Sequence, residues 1–127
     1  MARLTFRKHE HLCGALRIRE VATTGAAVNM APFRLVGKVM ELPTIAPAQV
    51  AFAVPKRGTR LAVDRNRVKR LMREAYRLEK PALIERLKGR KGQVAWLFIF
   101  QGRDTPTLAE ARVKISRALH RWLDEHE

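Results

Sequence analysis

Apolar positions near the start of the chain follow two different periods. Leu12, Ala15, Leu16 and Val21 recur near helical spacing and stop before Thr23-Thr24-Gly25, which predicts a short helix over residues 10–22. Cys13 falls inside it and reads as a small apolar thiol packed on that helix. Phe33, Leu35 and Val39 then alternate with Arg34, Val36 and Lys38, the pattern of a strand with one face wetter than the other. Pro43 and Pro47 mark a loop.

Val50-Ala51-Phe52-Ala53-Val54 is a continuous apolar run closed by Pro55 and predicts a strand buried on both faces. Asp64 is expected to cap a helix that stops near Glu79, because the ring of Pro81 would clash with the preceding turn. Residues 82–88 read as a further helical turn and Gly89 to Gly92 as a basic turn. The strongest strand signal follows, Val94 to Phe100, ended by Gly102. Thr107 and Glu110 have capping-box spacing at the head of a last helix, whose apolar face is Leu108, Ala111, Ile115, Ala118 or Leu119, and Trp122. Trp96, Phe98 and Trp122 are expected in the core. Strand 50–54, the helix opened at Asp64 and strand 94–100 make a βαβ unit with parallel strands, so residues 1–127 read as one α+β domain of sheet and helices.

Composition narrows the function. With 46% hydrophobic residues in 127, the chain can bury a core, which excludes a wholly disordered basic tail. Its 26 Lys and Arg against 12 Asp and Glu leave a net charge of +14, tolerated most readily where a polyanion is the normal partner. RNA, DNA and an anionic membrane are the candidates. The longest apolar run, Val94 to Phe100, is far shorter than the roughly 20 residues that span a bilayer, and the basic N-terminus has no apolar segment behind it. A single cysteine fits a reducing compartment. A soluble, cytoplasmic protein with no membrane partner is expected.

Half of the net charge is concentrated in one segment. From Lys56 to Lys80 there are ten Lys or Arg against Asp64, Glu74 and Glu79. On a helical wheel Val68, Leu71, Met72, Ala75, Tyr76 and Leu78 fall on one side; Arg65, Lys69, Arg70, Arg73 and Arg77, with Asn66 among them, are expected within an arc of about 140° on the other. A solvated face usually interleaves signs, and solubility alone is served by Lys and Glu; this face is mostly Arg, whose planar fork suits phosphate oxygens. Composition and geometry thus point to nucleic acid and leave RNA and DNA open.

No catalytic group of the protein's own is expected. Hydrolysis by bound metal needs carboxylates that converge, and Asp64 is the only acid near the basic surface, with Glu10, Glu20 and Glu41 scattered. His9, His11 and Cys13 make an incomplete ligand set, with His120 and His126 at the far end of the chain, so no metal site is expected either.

The stretch from Val54 through Lys56-Arg57, Ala62-Val63, Arg65-Asn66-Arg67, Lys69-Arg70 and Arg73 resembles the signature of the protein subunit of bacterial ribonuclease P, whose "RNR" motif opens an amphipathic helix. Phe6 to Leu12, Gly25 and Pro32-Phe33-Arg34-Leu35-Val36 are similar to that family's first helix and first strand, and Leu97-Phe98-Ile99-Phe100 with the closing helix is similar too. At Ala22 the chain departs from the aromatic the family usually carries.

The resemblance implies a small α+β fold, ribosomal protein S5 domain 2-like, with a central sheet, three main helices and a left-handed βαβ crossover carrying the RNR helix. General chirality alone would choose a right-handed crossover. It further implies a protein that binds a catalytic RNA subunit and the 5′ leader of precursor tRNA, and assists endonucleolytic removal of that leader while Mg²⁺ is bound by the RNA. No obligate protein partner is implied. Arg65, Arg67, Lys69, Arg70 and Arg73 match the motif and are expected to grip the RNA backbone. Lys56, Arg57, Arg60 and Arg77 extend that surface, and Asn66 either hydrogen-bonds RNA or fixes the turn entering the helix. Ile18 and Phe33 are candidates for a leader cleft between the first helix and the sheet. A basic ribosomal or RNA-assembly protein without a catalytic partner is the alternative.

Overall fold

The structure, a computed structural model, describes residues 10–126. In chain order its elements are α1 (Ala15–Thr24), β1 (Ala26–Met30), β2 (Phe33–Val39), β3 (Ala48–Ala53), α2 (Ala62–Leu87), β4 (Val94–Phe100) and α3 (Leu108–Glu125). The strands form one sheet in the order β1-β2-β4-β3. β1 with β2 and β2 with β4 are antiparallel, while β3 runs parallel to β4, so α2 is the crossover of a βαβ unit. This is the α+β architecture expected from the sequence. No helix among the described residues is long and apolar enough to cross a membrane.

Strand alternation gives the sheet two different faces. Phe33 and Leu35 of β2, Val50 of β3, and Val94, Trp96, Phe98 and Phe100 of β4 face α2 and α3, where Val68, Met72, Tyr76, Leu83, Ile115, Leu119 and Trp122 complete the main core. Every aromatic among the described residues belongs to this core or packs on it. Phe52 stacks on Phe98 with ring centroids 5.8 Å apart, and Trp96 meets Trp122 edge-on at the same distance. Gly37 is opposite Trp96, and a Cβ there would come within 2.6 Å of both indoles, so only glycine lets the two tryptophans meet over β2. On the other face Val36, Ala95 and Leu97 pack with Leu12 and Val21, and Ile18, Ala51, Ala53 and Ile99 are only partly covered.

Several sequence expectations fail for identifiable reasons. The first helix begins at Ala15, because Gly14 has φ of +92° and residues 10–12 run along the edge of β3, where the Leu12 N–H donates to the Val50 carbonyl at 3.0 Å. Cys13 therefore precedes the helix and is exposed. α1 continues to Thr24; a Cβ at Gly25 would lie 2.5 Å from the Val21 carbonyl oxygen and 2.8 Å from that of Gly37. β1 is absent from the sequence reading, since Ala26 and Ala27 are poor strand formers and pairing with β2 decides their conformation. β3 starts at Ala48, and only its first half is buried.

α2 departs most from expectation. It starts at Ala62 with Leu61 in the N-cap position, so Asp64 is a first-turn residue and not the cap. It also runs through Pro81 to Leu87 without a break. Proline has no N–H to give the carbonyl four residues back, a cost of about 3 kcal/mol in an isolated helix. Burial of Leu83 and Leu87 beyond the proline holds the second half in line. α3 follows expectation: Thr107 and Glu110 form a complete capping box, and Ala111, Ile115, Ala118, Leu119 and Trp122 are buried, with Leu108 at the margin.

Candidate nucleic-acid interface

The parallel strand β3 delivers the chain at Val54 to a loop that turns directly into α2, which brings Lys56, Arg57 and Arg60 beside the first turns of the basic helix. The turn is closed by the Thr59 N–H on the Pro55 carbonyl at 3.3 Å. Arg65 locks it further, donating from one guanidinium nitrogen to the Thr59 carbonyl at 3.0 Å and the Arg60 carbonyl at 2.7 Å. Free N–H groups at the start of α2 add positive potential to this end.

The helix does not carry its cations in the arc that the wheel suggests. Its buried line runs through Val68, Met72, Ala75, Tyr76, Lys80, Leu83 and Leu87. At 100° steps Arg65 and Lys69 lie on that line, between Met72 and Lys80. Both are half-buried, because the first turns project beyond the core. Leu71 and Leu78 are half-buried and flank the line. Asn66, Arg67, Arg70 and Arg73 are exposed.

Charge pairing separates the cations further. Arg67 lies 4.0 Å from Asp64, and Arg77 donates to both carboxylate oxygens of Glu74, which holds that carboxyl below its ordinary value. Among the described residues Lys56, Arg57, Arg60, Lys69, Arg70 and Arg73 make no ion pair. Within this segment these six are left without an ion pair, and Arg65 braces the loop that carries Lys56, Arg57 and Arg60.

Phe33 is not in a cleft beside α1. It is 1% exposed, and alternation turns it to the α2 and α3 side, with its ring 5.9 Å from that of Phe100. Ile18 does stand on the α1 side, with the half-covered Ala51, Ala53 and Ile99. Ala22 is exposed on α1. That face is therefore aliphatic, without an aromatic ring among the described residues. Where it meets the loop before α2, Arg57 and Arg103 border a pocket of about 370 Å³ walled by Pro55 and Ile99. Sequence reading missed Arg103; its signal is that parallel strands end on the same side, so the loops after β3 and β4 converge. Among the described residues no three His, Cys, Asp or Glu side chains gather as a metal set. His9 lies outside the described residues.

The model of the Ribonuclease P family matches residues 6–123. The chain belongs to the ribonuclease P family. It is 36% identical over 126 residues to the "Ribonuclease P protein component" of Chlorobium phaeobacteroides, covering 91% of this chain and 86% of that one. With the component of the same name from Porphyromonas gingivalis it shares 32% identity over 114 residues, covering 90% and 83%. The ribonuclease P protein of Staphylococcus aureus has the same fold, with a TM-score of 0.67 at 17% identity over 90% of this chain and 95% of that one. Family membership gives the RNR helix its context, and the geometry shows which of its side chains are free to act.

Proposed function

We propose that this chain is the protein component of a ribonuclease P: in the cytoplasm it binds the catalytic RNA subunit through loop 56–60 and the outer face of α2, binds the 5′ leader of precursor tRNA on the α1 side of the sheet, and so assists removal of the leader. The observation that carries the reading is the group of six cations without ion pairs, with Arg65 bracing the loop that carries Lys56, Arg57 and Arg60, in a chain of this family. A basic ribosomal or assembly protein is not favoured, because it would leave the family match unexplained.

The protein's contribution in this reading is electrostatic and positional. Each neutralised phosphate releases condensed counterions and lowers the repulsion between two RNAs that must lie side by side. The leader's unpaired bases meet the aliphatic surface of Ile18, Ala51, Ala53 and Ile99, with Arg103 at its end for leader phosphates. Mg²⁺ held by the RNA subunit would activate the attacking water and stabilise the leaving oxygen.

Reconstitution tests the reading. The chain is added to its cognate catalytic RNA and precursor tRNA at low Mg²⁺, and leader removal is followed. Stimulation is expected. Absence of stimulation favours the assembly-protein alternative, and cleavage without added RNA would show a protein-only nuclease.

A further inference from the structure

The far end of α2 carries a second basic group. Helical rise puts Arg86 about 30 Å along the axis from Arg65. Just past the helix, Arg90 and Lys91 stand between Gly89 and Gly92, each with φ of +82°, a left-handed conformation that glycine takes without strain. The Arg90 N–H closes the turn on the Leu87 carbonyl at 3.2 Å. The turn meets the ends of β2 and α3, where Val39, Arg86, Arg90, Lys91 and His126 line one pocket of about 460 Å³, large enough for a small ligand group. Among the described residues no carboxylate lines it.

The fold uses some of these side chains and leaves others unspent. Arg86 is committed: it donates to Nδ1 of His120 at 3.1 Å and to the His120 carbonyl at 3.0 Å, and it pairs with Asp124. His126 is fixed in place, its ring stacked on Trp122 with centroids 4.2 Å apart and its Nδ1 donating to the Trp122 carbonyl at 2.7 Å, which leaves Nε2 to meet a ligand. Arg90 donates from one guanidinium nitrogen to the His126 carbonyl at 2.8 Å, and its Nε has no hydrogen-bond partner although it is buried. An N–H buried in that way costs stability. Lys91 is exposed, and among the described residues neither Arg90 nor Lys91 makes an ion pair. Val39, 48% exposed, is the apolar wall.

Two unpaired cations and an oriented imidazole around one cavity suit an oxyanion, since a guanidinium takes two oxygens of a phosphate and an ammonium adds a point charge. We propose that this pocket is a second RNA-phosphate site, in which Arg90, Lys91 and Nε2 of His126 hold one backbone phosphate and Val39 packs against the attached sugar. The inference rests on the reading that the chain binds RNA. A phosphate within a strand is the occupant because Lys91 and Val39 stand in solvent at the mouth of the pocket, where a strand can pass. Its distance from the RNR cations means that it takes a different phosphate from those met by loop 56–60, so α2 acts as a strut between two RNA segments.

The test uses the full chain and measures affinity across a series of salt concentrations, for the cognate catalytic RNA and for precursor tRNA separately. Wild type is compared with Lys91→Gln, with Arg90→Gln plus Lys91→Gln, and with Lys88→Gln. Lys88 is an exposed cation at the same end that lies outside the pocket and pairs with Glu85 at 3.0 Å, so it reports the effect of charge alone. Lys91→Gln should keep the wild-type melting temperature and lose affinity about threefold. The double variant should lose about tenfold and flatten the salt slope by about one unit, one phosphate contact. Lys88→Gln should bind nearly as wild type. A loss confined to one RNA names the RNA that supplies the phosphate. Unchanged affinity for both RNAs in the double variant, or a loss from Lys91→Gln no greater than that from Lys88→Gln, would overturn the site. Failure of the wild-type chain to bind either RNA would overturn the underlying reading, a result distinct from variants that bind normally.

Discussion

The ammonium of Lys80 lies 2.6 Å from a carboxylate oxygen of Glu10, and both residues are nearly out of solvent, at 6% and 8% exposure. The pair fastens the segment before α1 to the middle of α2, next to Pro81. Removing one partner of a buried pair strands the other charge, at a cost of about 3–5 kcal/mol. Glu10→Ala should therefore lower the urea midpoint sharply. Glu10→Gln with Lys80→Met should recover most of the loss, and a double variant as weak as Glu10→Ala would show that the pair is not the source.

Tyr76 is the chain's one tyrosine, and its phenol is pushed well above its ordinary value by burial and, second, by the charge of Glu10. The unfolded phenol ionises near about pH 10, whereas the folded one stays protonated there. Its stabilising effect is complete below that pH and is lost as pH rises toward the folded value. Tyrosinate absorbance should thus appear only together with unfolding. Tyr76→Phe should flatten the alkaline fall in stability, and a phenol that titrates near pH 10 in the folded chain would contradict its burial.

Arg65 and the outer cations should behave differently on substitution. Arg70→Ala with Arg73→Ala should keep the melting temperature and reduce the salt slope of RNA binding by about two units, one per lost phosphate contact. Arg65→Ala should destabilise the fold by about 1–2 kcal/mol, because two loop carbonyls lose a charged donor. Equal effects of the two variants on stability would refute the division between brace and contact.

Asp64 sits in the first turn of α2, 4.0 Å from Arg67. If the protein adds no catalytic carboxylate, Asp64→Asn should leave single-turnover cleavage by the reconstituted holoenzyme unchanged at saturating protein and Mg²⁺. Stability should drop by about 0.3–1 kcal/mol from the lost helix-dipole term. A hundredfold loss of rate with RNA affinity intact would make Asp64 a catalytic residue.

The aliphatic face beside α1 offers a gain-of-function test. Stacking on an aromatic side chain is worth about 1–3 kcal/mol per base. Ala22→Phe should raise affinity for precursor tRNA about tenfold and leave affinity for leaderless tRNA unchanged. An equal gain for both substrates would place the contact outside the leader.

What the sequence by itself determined was whatever depends on local period and on charge. β4 and α3 were legible because an unbroken apolar run and a capping box act through neighbours in the chain. The RNR segment was legible because ten cations in 25 residues meet only three acids. Tertiary structure decided the rest. β1 is a strand because β2 pairs with it, and α2 passes Pro81 because Leu83 and Leu87 gain a core on the far side. Which of the basic side chains are free was not visible in a wheel either. Arg65 turns back to loop carbonyls five and six residues away, and Phe33 takes the opposite face because registry with Phe100 fixes its side of the sheet. In each case the deciding partner is distant in the chain or set by a loop conformation, and its free energy outweighs the local preference that the sequence displays.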